Sequence, residues 1–264
     1  MLTGNTLVFD IETVPDTQSG STIYNLANLS EKDVVKAMRA KRIEKTGYTD
    51  FIAPHLHKIV AISVALQSKS DFRIWSIGTE ESDEKELLIR FFEGLEKYEP
   101  TIVSWNGMAF DLPVIHYRSL FHGVVAPHYW DVGHIKKDYR FNNYISRFHW
   151  RHIDLMDALA AFQNRAWAPL DEIASMLGLP GKSGMSGSDV WDAYQNRDLR
   201  GIRNYCECDV MNTYLIYLRF EQIRGNLHTD SLSRELDRVK TEINRAKTGH
   251  LRDFSEYCDS YKLG

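Results

Sequence analysis

The alternation of apolar and polar positions along the chain predicts a mixed β-sheet covered by helices. Strand-forming apolar runs lie at residues 7–10, 59–67, 72–77 and 101–105, with a short strand or turn at 152–155. Helical spacing appears over residues 30–46, 80–97, 157–163, 170–177 and 202–220, and in the stretch that begins at Asp111. Since two hairpin strands come early and strands alternate with helices later, we expect an α/β fold with helices flanking one sheet.

Length and composition suit one elaborated domain. The chain has 264 residues, 43% of them hydrophobic, which is enough for a single sizeable core. We predict a domain over residues 1–225, with a helical insertion at about 20–57, and a helical extension over 226–264. Leu232, Leu236, Val239 and Ile243 follow helical spacing in that extension, which either packs on the domain or binds a partner.

Apolar stretches, the N-terminus and the cysteines indicate in which cellular compartment the protein works. No apolar stretch approaches the roughly 20 residues of a membrane span, and the N-terminus does not resemble a secretory signal. Cys206 and Cys208 are two apart on a predicted helix and point to different sides, which disfavours a shared zinc or disulfide. We therefore expect a cytoplasmic protein without membrane contact.

Two carboxylates stand where the first apolar run ends. Asp10 and Glu12 are two residues apart, so on a strand they share one face. Like charges this close raise each other's pKa unless a cation lies between them. A hard divalent ion would resolve that conflict, whereas a charged strand edge facing solvent would not require one.

Two further fragments carry polar residues in defined local settings. The run at 101–105 leads into Asn106 and Gly107, which favour a sharp turn, and then Asp111 begins a helical stretch. Asp111 also suits a helix N-cap, so capping alone is an alternative. On the last apolar helix, Tyr205 and Asp209 are four apart and share a face, bonded either to a common partner or to solvent and nearby backbone.

Together these fragments resemble the three exonuclease motifs of the DEDD, or DnaQ-like, 3′→5′ exonucleases. Asp10-x-Glu12-Thr13 is similar to the first motif, the stretch from Asn106 to Asp111 to the second, and Tyr205-x-x-x-Asp209 to the third in its tyrosine form. Two more stretches resemble the proofreading domain of family B DNA polymerases. They are 152–155 (HIDL) and 170–174 (LDEIA), the latter continuing to Lys182.

The resemblance implies a ribonuclease H-like α/β fold and hydrolysis of nucleic acid assisted by two Mg²⁺ or Mn²⁺ ions. The residues that it assigns to metal binding are Asp10, Glu12, Asp111 and Asp209. As a hypothesis, Asp10 bridges both ions, and Tyr205 orients the attacking water and helps to remove its proton. The residues expected to hold the terminal nucleotides are Thr13, Asn106 and Phe110.

The net charge of the chain bears on how it would bind a nucleic acid. The net charge of −4 is unusual for a nucleic-acid binder, so the basic footprint is expected to be local. Basic residues cluster at 36–45 and 136–151, and the second cluster alternates with aromatic residues, which suits either stacking on unpaired bases or a partly buried connection. The expected substrate is the 3′ end of single-stranded DNA. RNA trimming by the same chemistry and a non-catalytic nucleic-acid-binding role are the alternatives, and protein partners are not indicated.

Overall fold

A five-stranded mixed sheet organises the molecule in the computed structural model, which describes residues 4–181, 184–246 and 249–260. The strands in chain order are β1 (Thr6–Pro15), β2 (His57–Gln67), β3 (Phe72–Ser76), β4 (Thr101–Ser104) and β5 (His152–Asp154). Their order across the sheet is β3-β2-β1-β4-β5, so β1 lies at the centre. Lys182, part of one polymerase-like stretch, lies outside the described residues.

Strand direction explains why the sheet is mixed. β1 pairs antiparallel with β2 and β2 with β3, whereas β1–β4 and β4–β5 are parallel. The carboxyl ends of β1, β4 and β5 therefore meet at one edge of the sheet. The predicted mixed sheet is confirmed, although β1 continues to Pro15 beyond the expected end at Asp10, because β2 pairs with it as far as His57.

Helices flank this sheet. In the described part of the chain they are α1 (Thr17–Tyr24), α2 (Glu31–Thr46), α3 (Glu84–Tyr98), α4 (Asp111–His122), α5 (Pro127–Trp130), α6 (Leu155–Leu159), α7 (Leu170–Met176), α8 (Val190–Gln195), α9 (Leu199–Ile223), α10 (Thr229–Ala246) and α11 (Arg252–Ser260). Each predicted helix has a counterpart in this set with shifted ends, whereas α5 and α8 were not predicted. This arrangement confirms the ribonuclease H-like α/β class expected from the sequence. No helix in the described ranges combines the length and apolar character needed to cross a bilayer.

Both faces of β1 are covered, and by different helices. Leu7 and Phe9 belong to the core that includes Phe91 of α3 and Ile115 of α4. Val8 belongs to the other core, which α9 dominates. Since side chains alternate along a strand, the positions that follow Val8 at intervals of two face α9.

The C-terminal helices pack on the same core as α9. Leu232, Leu236, Val239 and Ile243 of α10 are buried there, as is Phe254 of α11. Of the two roles left open for this extension, the structure supports packing on the domain.

Candidate active site

The first two carboxylates project from the central strand toward α9. Asp10 is partly buried and Glu12 is only 7% exposed, so neither lies on a solvated strand edge. The pairing of β1 with β2 shifts register between Glu12 and Thr13. The extra residue is Val60 of β2, and an irregularity of this kind increases the local twist and changes the direction of the side chains next to it.

The third carboxylate reaches the same place from the turn after β4. Asn106 adopts a φ of 63°, and a Cβ on Gly107 would lie 2.3 Å from the Ser104 Oγ. The turn is therefore tight, and Asp111 follows as the first residue of α4. Its Oδ1 accepts the Ile11 backbone N–H at 3.3 Å. This contact to β1, rather than helix capping, is the bond that holds the Asp111 side chain toward the strand.

A buried carboxylate on the neighbouring strand fixes that turn. Asp154, at the end of β5, accepts the backbone N–H groups of Asn106 at 3.0 Å and Met108 at 2.9 Å. It also accepts from Asp157 at 3.3 Å at the start of α6. Burial raises the pKa of Asp154, and the charge of Asp154 in turn raises the pKa of Asp111.

The last two predicted residues come from α9. Tyr205 and Asp209 are 5% and 8% exposed and lie on the helix face that covers β1. The Tyr205 hydroxyl hydrogen-bonds to the Asp209 carboxylate. The structure thus brings together all five residues, which come from β1, α4 and α9.

Electrostatics links the members of this cluster. Burial raises the pKa of Asp10 well above its usual range, and three other charges raise it further: those of Asp111, Glu12 and Asp209. Burial also raises the pKa of Asp111, to about 7, and that of Tyr205. The ionised forms of Asp10 and Asp111 are destabilised by burial and by neighbouring carboxylates, so a divalent cation would relieve the repulsion. Carboxylate oxygens are the donors that Mg²⁺ and Mn²⁺ take, and the donor set fits such ions.

With this geometry in place, a comparison with protein families is decisive. Residues 49–258 match a family described as a predicted 3′-5′ exonuclease related to the exonuclease domain of PolB. The chain belongs to this exonuclease family. No curated protein matches it. The matched residues include Asp111, Tyr205 and Asp209, whereas Asp10 and Glu12 precede them along the chain. β1 carries Asp10 and Glu12, and its pairing with β2 and β4 joins the first motif to the matched residues.

In this exonuclease-family chain, a thiol supports Asp10 from the side of α9. The fully buried Cys206 Sγ lies 3.4 Å from the Asp10 carbonyl and 3.5 Å from its Oδ2. The Cys206 side chain also hydrogen-bonds to Ser63, the residue opposite Asp10 on β2. Sγ and a carboxylate oxygen each of Asp10 and Glu12 lie within 4.8 Å of one another.

The hydrogen bonds continue from Ser63 to the C-terminal segment. Ser63 and Ser76 share a hydrogen bond at 2.9 Å, and the Ser76 hydroxyl donates to Glu207 Oε1 at 2.6 Å. The other oxygen, Oε2, lies 2.8 Å from His250 Nε2. His250, in the predicted C-terminal extension, is therefore connected to Asp10 through the partly buried Glu207, the buried Ser76 and Ser63, and Cys206.

A histidine orients the residue after the first motif. His57 Nδ1 lies 2.8 Å from the Thr13 hydroxyl, and its Nε2 lies 3.0 Å from the Ile52 carbonyl. A carbonyl can only accept, so Nε2 carries the proton and Nδ1 accepts from Thr13. Burial lowers the pKa of His57 to about 4, which keeps the ring neutral at physiological pH.

Aromatic rings stand beside Thr13. The Phe110 ring centre lies 5.4 Å from that of Phe51 and 5.1 Å from that of His57. Phe110 is partly exposed and Phe51 is 55% exposed. The Oδ1 of Asn106 is buried and accepts no hydrogen bond from the described residues. The rings form an apolar wall beside Thr13, and the buried Asn106 Oδ1 keeps an unused acceptor.

Sequence reasoning missed several of these contributors. Nothing in the sequence indicated that His57 belongs to the site, and Asp154 stood out only as part of the polymerase-like stretch at 152–155. Phe51 and the thiol of Cys206 were given no role at the site. One signal was available for Asp154, because a carboxylate at the end of a short apolar strand repeats the setting of Asp10.

The structure buries some aromatic residues of the basic connection at 136–151 and exposes others. Tyr139 and Tyr144 are buried and pack against each other, so they cannot stack on bases. Phe141, Phe148 and Trp150 are exposed. Only part of this predicted surface is therefore accessible to a substrate.

Proposed function

We propose that the protein is a two-metal-ion 3′→5′ exonuclease that removes nucleoside 5′-monophosphates from the 3′ end of single-stranded DNA. The observation that carries the proposal is the convergence of four carboxylates from β1, α4 and α9 in one buried, mutually repelling cluster. A protein that only bound nucleic acid would gain nothing from buried anions that repel phosphate. The relation of the family to a DNA polymerase domain favours DNA over RNA.

The carboxylates of Asp10, Glu12, Asp111 and Asp209 would hold the ions. When bound, two Mg²⁺ or Mn²⁺ ions supply neutralisation of the phosphodiester charge and increase the acidity of water. The protein's own contribution is placement. Cys206 and the Ile11 N–H orient two of the four carboxylates before any ion arrives.

Tyr205 would position the attacking water. Its hydroxyl is hydrogen-bonded to Asp209, so the ring and oxygen are held at the carboxylate cluster rather than free to rotate. Burial and the neighbouring carboxylates raise the pKa of Tyr205, so in the metal-free protein its hydroxyl is protonated, which suits orientation of a water molecule.

The substrate end would lie along Thr13, Asn106 and Phe110. The partly exposed Phe110 ring offers a stacking surface for an unpaired base, and the Asn106 Oδ1 offers an acceptor. The Thr13 backbone lies next to the register shift between β1 and β2 and would contact the terminal nucleotide. The expected cytoplasmic location stays a prediction from the cysteine pattern.

A single-stranded DNA labelled at its 5′ end tests the proposal. In Mg²⁺ or Mn²⁺ the wild-type protein should produce a ladder that shortens with time, and a chelator should stop it. Asp10→Ala and Asp209→Ala should each abolish the ladder, whereas Asp138→Ala, at an exposed carboxylate, should not. Tyr205→Phe should slow hydrolysis while metal binding, followed by calorimetry, is retained.

Three outcomes would contradict parts of the proposal. Internal cuts at early times would indicate an endonuclease. Faster degradation of an RNA strand of the same sequence would assign RNA as the substrate. Strand binding without chelator-sensitive hydrolysis would leave a non-catalytic binding protein.

A further inference from the structure

A cavity of about 220 Å³ lies beside Met108, the residue that follows the turn at Asn106 and Gly107. Met108 and Asp154 line it from the side of the candidate active site, and the Met108 N–H donates to that Asp154 carboxylate. Phe148 and Phe162 line it from the outside. Asp154 therefore both lines the cavity and holds the turn that leads to Asp111.

The outer wall exposes aromatic rings. Phe148 is 76% exposed and Phe162 is 39% exposed, with ring centres 5.9 Å apart at an angle of 59°. Neighbouring exposed aromatic side chains around a cavity are typical of a ligand-binding surface. The two rings present both a face and an edge to anything that enters.

An arginine completes this wall with its orientation fixed. Arg147 donates through Nε and Nη2 to the two oxygens of Asp157, at 2.8 and 2.7 Å. Its guanidinium carbon lies 5.5 Å from the Phe162 ring centre. The ion pair with Asp157 occupies one edge of the guanidinium and holds the planar group in position for stacking. It also neutralises Asp157, so this pair adds no net negative charge to the wall.

The backbone at this wall is strained. Ala161 and Phe162 have φ values of 51° and 60°, which non-glycine residues seldom adopt, and here two adopt them in succession. The Phe162 N–H donates to the Asp157 carbonyl at 2.9 Å, which fixes the turn to α6. Strained backbone of this kind is held in place by the surrounding structure and is common at ligand-binding sites. Here it places the Phe162 ring in the cavity lining.

We infer that this cavity binds an unpaired nucleobase of the substrate strand, upstream of the 3′ end. The inference rests on the proposed function. Exposed aromatic rings beside an oriented arginine are the combination that stacks on single-stranded nucleic acid without reading its sequence. The exposed Arg165 follows Phe162 by three residues and supplies positive charge for the adjoining phosphates. The cavity would hold the strand while its 3′ end lies at the carboxylates.

Strand binding as a function of length tests this inference. Oligothymidines of 2 to 12 nucleotides, labelled at the 5′ end, are titrated with protein in chelator and followed by fluorescence anisotropy. The wild-type affinity should rise in a step once the strand is long enough to reach the cavity. Phe148→Ala with Phe162→Ala should remove that step and raise the Kd of the longer strands by ten-fold or more. The dinucleotide should bind as it does to the wild-type protein.

Two further variants serve as controls. Phe148→Ala alone changes a highly exposed ring, so folding is preserved, and it should give part of the effect. Phe141→Ala removes an equally exposed ring of the same connection that lies outside the cavity lining, and it should bind every length normally. In Mg²⁺ the double variant should show a raised KM on long strands with kcat unchanged.

Failure of the inference differs from failure of the proposed function. Wild-type binding at all lengths by the double variant would overturn the inference, as would an equal loss for the dinucleotide or for Phe141→Ala, even if hydrolysis were normal. Loss of the length step in a protein that hydrolyses nothing would support the nucleobase site and reject only the nuclease.

Discussion

Substitution of Asp111 by asparagine should stabilise the metal-free protein. Asp111 is 4% exposed, and burial together with the charges of Asp154 and Asp209 raises its pKa to about 7. Asparagine has nearly the same size, and its Oδ1 can still accept the Ile11 N–H that Asp111 accepts. The substitution therefore removes the buried charge and leaves the packing in place.

The magnitude follows from the pKa. A rise from the ordinary value of 3.8 to about 7 corresponds to at most about 4 kcal/mol, since one pH unit is worth 1.36 kcal/mol. The carboxyl of Asp111 ionises near 3.8 in the unfolded chain and near 7 in the fold. Its charge therefore destabilises the fold increasingly between these pH values. The advantage of the asparagine variant should be near zero at pH 4 or below and complete above pH 7.

Urea denaturation in chelator measures this difference. Wild-type protein, Asp111→Asn and the exposed-site control Asp138→Asn are unfolded at pH 4 and at pH 8. Adding Mg²⁺ at pH 8 should then stabilise the wild-type protein more than Asp111→Asn. The reasoning is refuted if Asp111→Asn is no more stable than wild type at pH 8, or if the gap is the same at both pH values.

Three further predictions concern the frame around the site. Arg118→Ala should lower the unfolding free energy by about 3–5 kcal/mol, because it leaves the buried carboxylates of Asp16 and Glu84 without the arginine. The control Arg90→Ala, at an exposed ion pair, should lower it by less than about 1 kcal/mol. Thermal and urea unfolding of both variants measure the difference. Gly107→Ala should lower kcat at least ten-fold with folding retained, because its Cβ would meet Ser104 and displace the turn to Asp111. Unchanged hydrolysis would show that the turn tolerates movement. Gly94→Ala, in α3 with open space around it, should instead raise the unfolding free energy by about 1 kcal/mol without changing hydrolysis, and a drop in stability would contradict the assigned surroundings.

Local pattern was sufficient for most of the secondary structure. The apolar runs around Val8 and Val103 and the helical spacing around Tyr214 each reflect which face of an element is buried, and burial is encoded residue by residue. Element ends were less well predicted. β1 runs on through its two carboxylates because a partner strand, distant in the chain, supplies its hydrogen bonds.

The candidate site was predictable as a set of residues but not as a structure. Asp10, Asp111 and Asp209 each had an ordinary structural explanation alone, and it was their order and their resemblance to the three exonuclease motifs that pointed to them. The buried neighbours that hold them could not be predicted in this way. His57 and Cys206 are ordinary core residues until the pairing of β1 with β2 and the packing of α9 place them beside carboxylates.

The sequence by itself determined the fold class and the order of most elements, because periodicity is a property of short stretches, whereas its carboxylates were grouped only through the resemblance to the exonuclease motifs. Only the tertiary structure decided that those carboxylates repel one another in a common buried space, that Asp154 holds the turn before Asp111, and that a strained turn places Phe162 at a cavity. These features depend on distances between residues far apart in the chain. Such distances are set when the sheet pairs and α9 packs across it, and no local pattern contains them.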